Sequence, residues 1–141
     1  MRFNALIPEF AVGSLAESLA FYVDLLGFSV AYERPEEGFA FLTLGEAQLM
    51  LDEIGQVRTF DADGPLVRPL GRGLNLQIAV PAVAPLLAAL ATAGWPLYLP
   101  LEEKWYRRGA EELGNRQFVV ADPDGYLLRY VEDLGSRPTA G

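Results

Sequence analysis

The same order of elements is written twice along this chain, and that repetition limits the available folds more than any other feature. In the first copy, residues 5–12 read as a strand that stops before Gly13. Ser14 followed by Glu17 is a capping box, which satisfies two amides left open at a helix start. Leu15, Leu19, Tyr22 and Leu26 recur at helical spacing, and Gly27 supplies the stop. Three β-rich runs follow at 28–33, 39–44 and 47–53, the last two joined by Gly45-Glu46.

The second copy opens with a strand at 74–80. Val83, Leu86, Leu87 and Leu90 give a helix its apolar face, and Gly94 ends it. Pro85 falls in the first turn, where a missing amide hydrogen costs little. Residues 95–99 read as a strand, and 117–121 with 126–132 as a hairpin around Asp122-Pro123-Asp124-Gly125. The echo is literal in places. Phe10-Ala11-Val12 returns as Ile78-Ala79-Val80, and the run ending Asp52-Glu53 returns as the run ending Val131-Glu132. The pattern predicts one α+β domain over 1–133, built from βαβββ modules 1–54 and 73–133. A Gly/Pro/Asp-rich connector spans 55–72, an irregular insertion 102–115, and a flexible tail 134–141.

Composition removes several chemistries. There is no histidine, so imidazole bases, Ser-His-Asp triads and histidine zinc sites are excluded. There is no cysteine, hence no disulfide and no thiolate. Any metal would need an all-oxygen shell, which suits magnesium, calcium or manganese. Net charge is −8 and no basic run exceeds Arg107-Arg108, which argues against nucleic acid as a partner. Acidity favours cationic ligands through the overall field, although solubility alone also accounts for it. The apolar stretch 74–93 holds Asn75, Gln77, Pro81 and Pro85, so no membrane span is expected there. The first residues lack the basic start and apolar run of a signal peptide, and the expected location is the cytoplasm.

The twofold βαβββ order, the helix exit Leu19-Ala20-Phe21-Tyr22 to Leu26-Gly27-Phe28, and the hairpin Asp122-Pro123-Asp124-Gly125 through Arg129 resemble the vicinal oxygen chelate superfamily. That superfamily takes in glyoxalase I, extradiol dioxygenases and the fosfomycin- and bleomycin-resistance proteins. Within it, the chain is most similar to the bleomycin-resistance proteins through 48–52, the insertion around Trp105-Tyr106-Arg107, and 122–133. The resemblance implies a glyoxalase-like curved mixed sheet with helices on its outer face. In the metal-dependent branches, ligands project from one strand near the start and one near the end of each module. The residues matched to those positions are Glu9, Asp52, Asn75 and Arg129. Glu9 and Asp52 can ligate, Asn75 only weakly, and Arg129 not at all, because a guanidinium has no lone pair to offer. The resemblance therefore implies a site without metal or other cofactor and without catalytic residues.

Candidate ligand walls are Phe39 and Phe41 on a middle strand, Phe60 in the connector, and Trp105 with Tyr106 in the insertion. Phe39 and Phe41 equally suit an ordinary core, and Trp105 with Tyr106 a subunit interface. Arg129 can contact ligand or form a structural ion pair with Asp52 or Glu9. Three functions follow. The first is a homodimeric, metal-free protein that sequesters a small molecule, such as a bleomycin-type cationic antibiotic, in a dimer-interface pocket. The second is a divalent-metal lyase, isomerase or dioxygenase using Glu9 and Asp52. The third is an interaction or regulatory module.

Overall fold

The computed structural model describes residues 1–139, which form two four-stranded mixed sheets. The first contains β1 (Glu9–Val12), β2 (Ser29–Arg34), β3 (Phe39–Leu44) and β4 (Ala47–Glu53) in the order β1-β4-β3-β2. The second contains β5 (Asn75–Ala79), β6 (Leu99–Arg108), β7 (Glu111–Ala121) and β8 (Leu127–Pro138) in the order β5-β8-β7-β6. In each sheet the first strand lies parallel to the last and the remaining pairs are antiparallel. Each helix follows the first strand of its copy, so the expected twofold βαβββ order is what the chain adopts. By their contacts the residues divide into two compact units. Unit 1 is Met1–Arg72 with the turn Asp122–Gly125, and unit 2 is Gly73–Ala121 with the chain from Tyr126 onward.

Unit 1 buries Phe10, Val12, Leu42, Leu49 and Leu51 from its strands, and Phe21, Tyr22, Leu26 and Phe28 from the helical segment and its exit. The alternation along β1 and β4 puts these on one face and Glu9, Met50 and Asp52 on the other. Helix α1 (Leu15–Leu19) starts at the predicted Ser14 cap, which accepts from the Glu17 amide at 3.2 Å, the Ser14 half of the expected capping box. A second open amide, on Leu15, donates to Glu53 Oε1 at 2.9 Å. Beyond Leu19 the winding widens over Ala20–Leu25, and the Leu26 amide reaches back five residues to the Phe21 carbonyl at 3.1 Å.

The turn Asp122–Gly125 is anchored in the same unit. Asp122 accepts from the Tyr22 hydroxyl at 2.6 Å and from the Asp124 amide at 2.9 Å. Asp124 Oδ1 accepts from the Gly13 amide and from Arg68 Nε and Nη2 at 2.8–3.0 Å. Gly125 turns the chain at φ +90, and a Cβ there would lie 2.5 Å from Pro69.

Unit 2 repeats the scheme with different side chains. Helix α2 (Ala84–Thr92) has Pro85 in its first turn, and the Val83 amide donates to Glu132 Oε1 at 3.0 Å. Glu132 thus does for α2 what Glu53 does for α1. Ile78, Val83, Leu90, Phe118, Val120, Leu128 and Tyr130 are buried, with Phe118 and Tyr130 stacked at 5.5 Å.

Three expectations about this second copy are corrected. The strand expected at 95–99 begins only at Leu99. The stretch 102–115 is no irregular insertion but a long hairpin of β6 and β7 turning at Gly109-Ala110. β6 is an edge strand exposed along nearly its whole length, so neither of its faces carries the apolar alternation that marks a strand. The tail expected from 134 is instead paired to Pro138, with Glu111 opposite Pro138 and a bulge at Gly114-Asn115 absorbing the register. Residues 140 and 141 of that tail lie outside the described residues. Among the described residues no helix is long and apolar enough to cross a membrane, which says nothing of strands.

Candidate functional site

Each unit carries one cavity lined by residues that the sequence singles out. In unit 1 a cavity of about 230 Å³ is lined by Glu9, Arg34, Glu37, Phe39, Asp52, Val57, Arg58 and Phe60. Adjacent parallel strands bring Glu9 and Asp52 together, with Ala11 opposite Asp52 in the register. The two carboxyls lie within hydrogen-bonding reach. Burial, that hydrogen bond and the Asp52 charge together hold the Glu9 carboxyl above its ordinary value of 4.5, while Arg58 and Arg34 pull it back. Arg34 sits 4.0 Å over the Phe39 ring and donates to Glu37 at 2.6 Å. Arg58 lies 5.8 Å from the ring of Phe60, which is 75% exposed.

In unit 2 a cavity of about 360 Å³ opens on the same kind of sheet face. Its walls are Tyr98, Leu99, Pro100, Val119 and Leu127, and its polar groups are Asn75, Glu102, Tyr106, Gln117 and Arg129. Gln117 is buried and donates from Nε2 to Glu102 Oε1 at 3.0 Å and to the Tyr106 hydroxyl at 2.7 Å. Arg129 lies opposite Gln77 on one side and Val119 on the other, and its Nη2 donates to Gln77 Oε1 at 2.8 Å. Its Nε is buried and has no partner among the described residues.

Seven of the nine expected site residues therefore line a cavity. Glu9, Asp52, Phe39 and Phe60 fall in unit 1; Asn75, Tyr106 and Arg129 fall in unit 2. Phe41 and Trp105 line neither of these two cavities. Phe41 is buried beneath the Tyr32 ring, stacked at 5.1 Å, with Phe3 edge-on at 5.4 Å. Trp105 alternates away from Tyr106 along β6 and covers Gly114, with Arg137 4.0 Å over its ring. Sequence reasoning missed Gln77 and Gln117, which hold Arg129 and Tyr106 in place. Alternation along β5 and β7 would have put both on the cavity face.

The registers also refine which residues correspond between the two copies. Gln77 faces Arg129 on β8, and the matching pair in unit 1 is Glu9 facing Met50 on β4. Met50, not Asp52, is thus the counterpart of Arg129. Counting back from the echoed Val12 and Val80, the counterpart of Asn75 is Ile7. The four equivalent positions hold Ile7, Met50, Asn75 and Arg129, with one weak oxygen donor and a permanent cation among them. The Glu9–Asp52 pair lies beside these positions, and its cavity is also lined by two arginines. Among the described residues no three acidic side chains cluster as a metal shell would require. The donor set does not fit a divalent ion.

Sheets with this order, each parallel at one edge and with a cavity on one face, define a twofold βαβββ fold. The chain belongs to the glyoxalase/bleomycin resistance protein/dioxygenase superfamily, whose family model matches residues 5–130. It is similar to a bleomycin resistance protein of Geobacillus stearothermophilus, 27% identical over 139 residues that cover 92% of this chain and 97% of the relative. Among solved structures, TioX from Micromonospora sp. ML1 shares the fold with a TM-score of 0.72. It is 21% identical, over 94% of this chain and 100% of the other. A bleomycin resistance determinant encoded on the transposon Tn5 has a TM-score of 0.62 at 19% identity, over 94% of this chain and 99% of the other.

Proposed function

We propose that this chain is a receptor that holds a small organic molecule without converting it, and that the molecule is a cationic antibiotic of the bleomycin type. The observation that carries this reading is the set Ile7, Met50, Asn75 and Arg129 at the equivalent strand positions. With that set, no ion can be held where a metal-dependent relative would activate its substrate. The bleomycin resistance relatives support the choice of ligand. The unit 1 cavity adds two carboxyls that can meet cationic groups of a ligand, while its Phe39 and Phe60 rings already face Arg34 and Arg58. The residues proposed to touch ligand are Glu9, Asp52, Phe39 and Phe60 in one unit and Asn75, Tyr106 and Arg129 in the other. Resistance would follow from sequestration in the cytoplasm by a homodimer, and sedimentation of the purified chain tests the dimer.

Calorimetric titration with metal-free bleomycin tests the receptor itself. Saturable heat with recovery of unaltered drug is the expected result, and no heat at high micromolar drug removes that ligand. A divalent-metal lyase, isomerase or dioxygenase using Glu9 and Asp52 is the second reading, favoured by the meeting of those two carboxyls. Arg34 and Arg58 on the same cavity oppose it. Elemental analysis after gentle purification separates the two, since a stoichiometric divalent ion would replace the receptor with an enzyme.

A further inference from the structure

The guanidinium of Arg129 is only partly compensated within unit 2. It stands in the third row of a four-stranded face, flanked by Gln77 and Val119. Its one hydrogen-bond acceptor within the unit, Gln77 Oε1, is neutral and leaves the charge intact. Among the described residues of unit 2 no carboxylate comes within ion-pair range of it, although Arg116 and Arg137 of the same unit both find glutamates. Nε, on the fork edge next to the donating Nη2, is buried and has no hydrogen-bond partner among the described residues. A guanidinium offers parallel N–H groups along such an edge, spaced to match the two oxygens of a carboxylate. In unit 1 the corresponding Nε/Nη2 edge of Arg68 grips a carboxylate, both donors converging on Asp124 Oδ1.

The surroundings define the rest of a ligand. Leu99, Pro100, Val119 and Leu127 give the cavity apolar walls, and Tyr98 adds an aromatic one. Glu102 is the one carboxylate on the lining, held by Gln117, and it lies two strands from Arg129, about 10 Å by strand spacing. An acid seated at Arg129 is therefore clear of Glu102, while a second acidic group at the far end would meet it.

We propose that the unit 2 cavity takes a small carboxylic acid with a flat apolar body, its carboxylate seated on the Nε edge of Arg129 and its body between Leu99, Pro100, Val119 and Leu127. The inference rests on the small-molecule reading above and narrows it, because it assigns this cavity an acceptor group, not a cation.

The test uses the full chain and two probes of one shape, 2-naphthoate and the neutral 2-naphthylmethanol, followed by amide chemical shifts and by calorimetry. The acid binds about tenfold or more tightly than the alcohol, with shifts centred on β8, β7 and the start of β6. Arg129→Met removes that preference and leaves the weak binding of the alcohol. Arg129→Lys, which keeps the charge but not the fork, retains only part of it. Should Arg129→Met fail to fold, the acid–alcohol ratio and Arg129→Lys still decide. Equal affinity for the two probes, an acid preference that survives Arg129→Met, or shifts centred away from these strands would each overturn the proposal. Bleomycin titration is a separate arm. Heat with bleomycin but no acid preference sinks the carboxylate anchor alone, whereas acid preference without bleomycin binding sinks the choice of antibiotic alone.

Discussion

Tyr22 and Asp122, one hundred residues apart in sequence, meet in a fully buried hydrogen bond of 2.6 Å from the phenol to Oδ2. Tyr130 is equally buried in unit 2, yet its hydroxyl has no partner among the described residues and burial pushes its ionisation far above the ordinary range. The two tyrosines form a natural control. Tyr22→Phe leaves a buried acceptor short of a donor and is expected to destabilise by about 1–3 kcal/mol, read from urea midpoints. Little or no loss there would show that water replaces the phenol.

Tyr130→Phe removes only an unsatisfied hydroxyl and keeps the stack on Phe118. The expected outcome is neutral to about 1 kcal/mol more stable in the same assay. A clear loss would mean that the hydroxyl has a partner in solution.

Glu9 gives a pH signature. Its carboxyl is held above 4.5 in the folded chain by burial and by Asp52, so between 4.5 and that raised value the folded state carries more protons than the unfolded one. Stability therefore falls as pH rises through this window, and the penalty is complete at neutral pH. Glu9→Gln is expected to raise the unfolding midpoint at pH 7 and to change it little at pH 4. Because Glu9 is largely exposed, the gain stays below about 1 kcal/mol. An equal effect at both pH values would rule out the raised Glu9 carboxyl.

Gly114 is pressed under Trp105, and a Cβ built on it would lie 2.7 Å from the indole. Gly114→Ala is expected to cost about 1–3 kcal/mol and to shift tryptophan emission to the red as the ring lifts off. A variant carrying Trp105→Phe as well should show a smaller added cost, because the smaller ring can yield.

Much of this fold could be read from residue order. The repeat, the Ser14 cap, Pro85 in a first turn and the Asp122-Pro123-Asp124-Gly125 turn each act within a few residues, so local chemistry discloses them. What stayed hidden depends on pairing at a distance. β6 has charges on both faces and becomes a strand only because β7 runs beside it. Gly135, Ser136 and Pro138 look like a fraying end until Gly114, Leu113 and Glu111 are seen opposite them. The site shows the same division. Residue type announced Arg129 as a cation on a cavity-facing strand; the echo of 49–53 in 128–132 already sets Met50 against it, and the two registers fix that match and exclude Asp52. Gln77 and Gln117 gave no signal of their own, since an amide gains importance only from what it touches.

The long outer strand β6 also constrains how this sequence can drift. Ten residues of free backbone edge are a template onto which any extended peptide could zip, and Glu102, Glu103, Lys104, Arg107 and Arg108 are what discourage it. Swapping them for β-branched apolar residues would strengthen the strand by propensity while inviting self-association. Solubility, more than stability, fixes the chemistry of this edge.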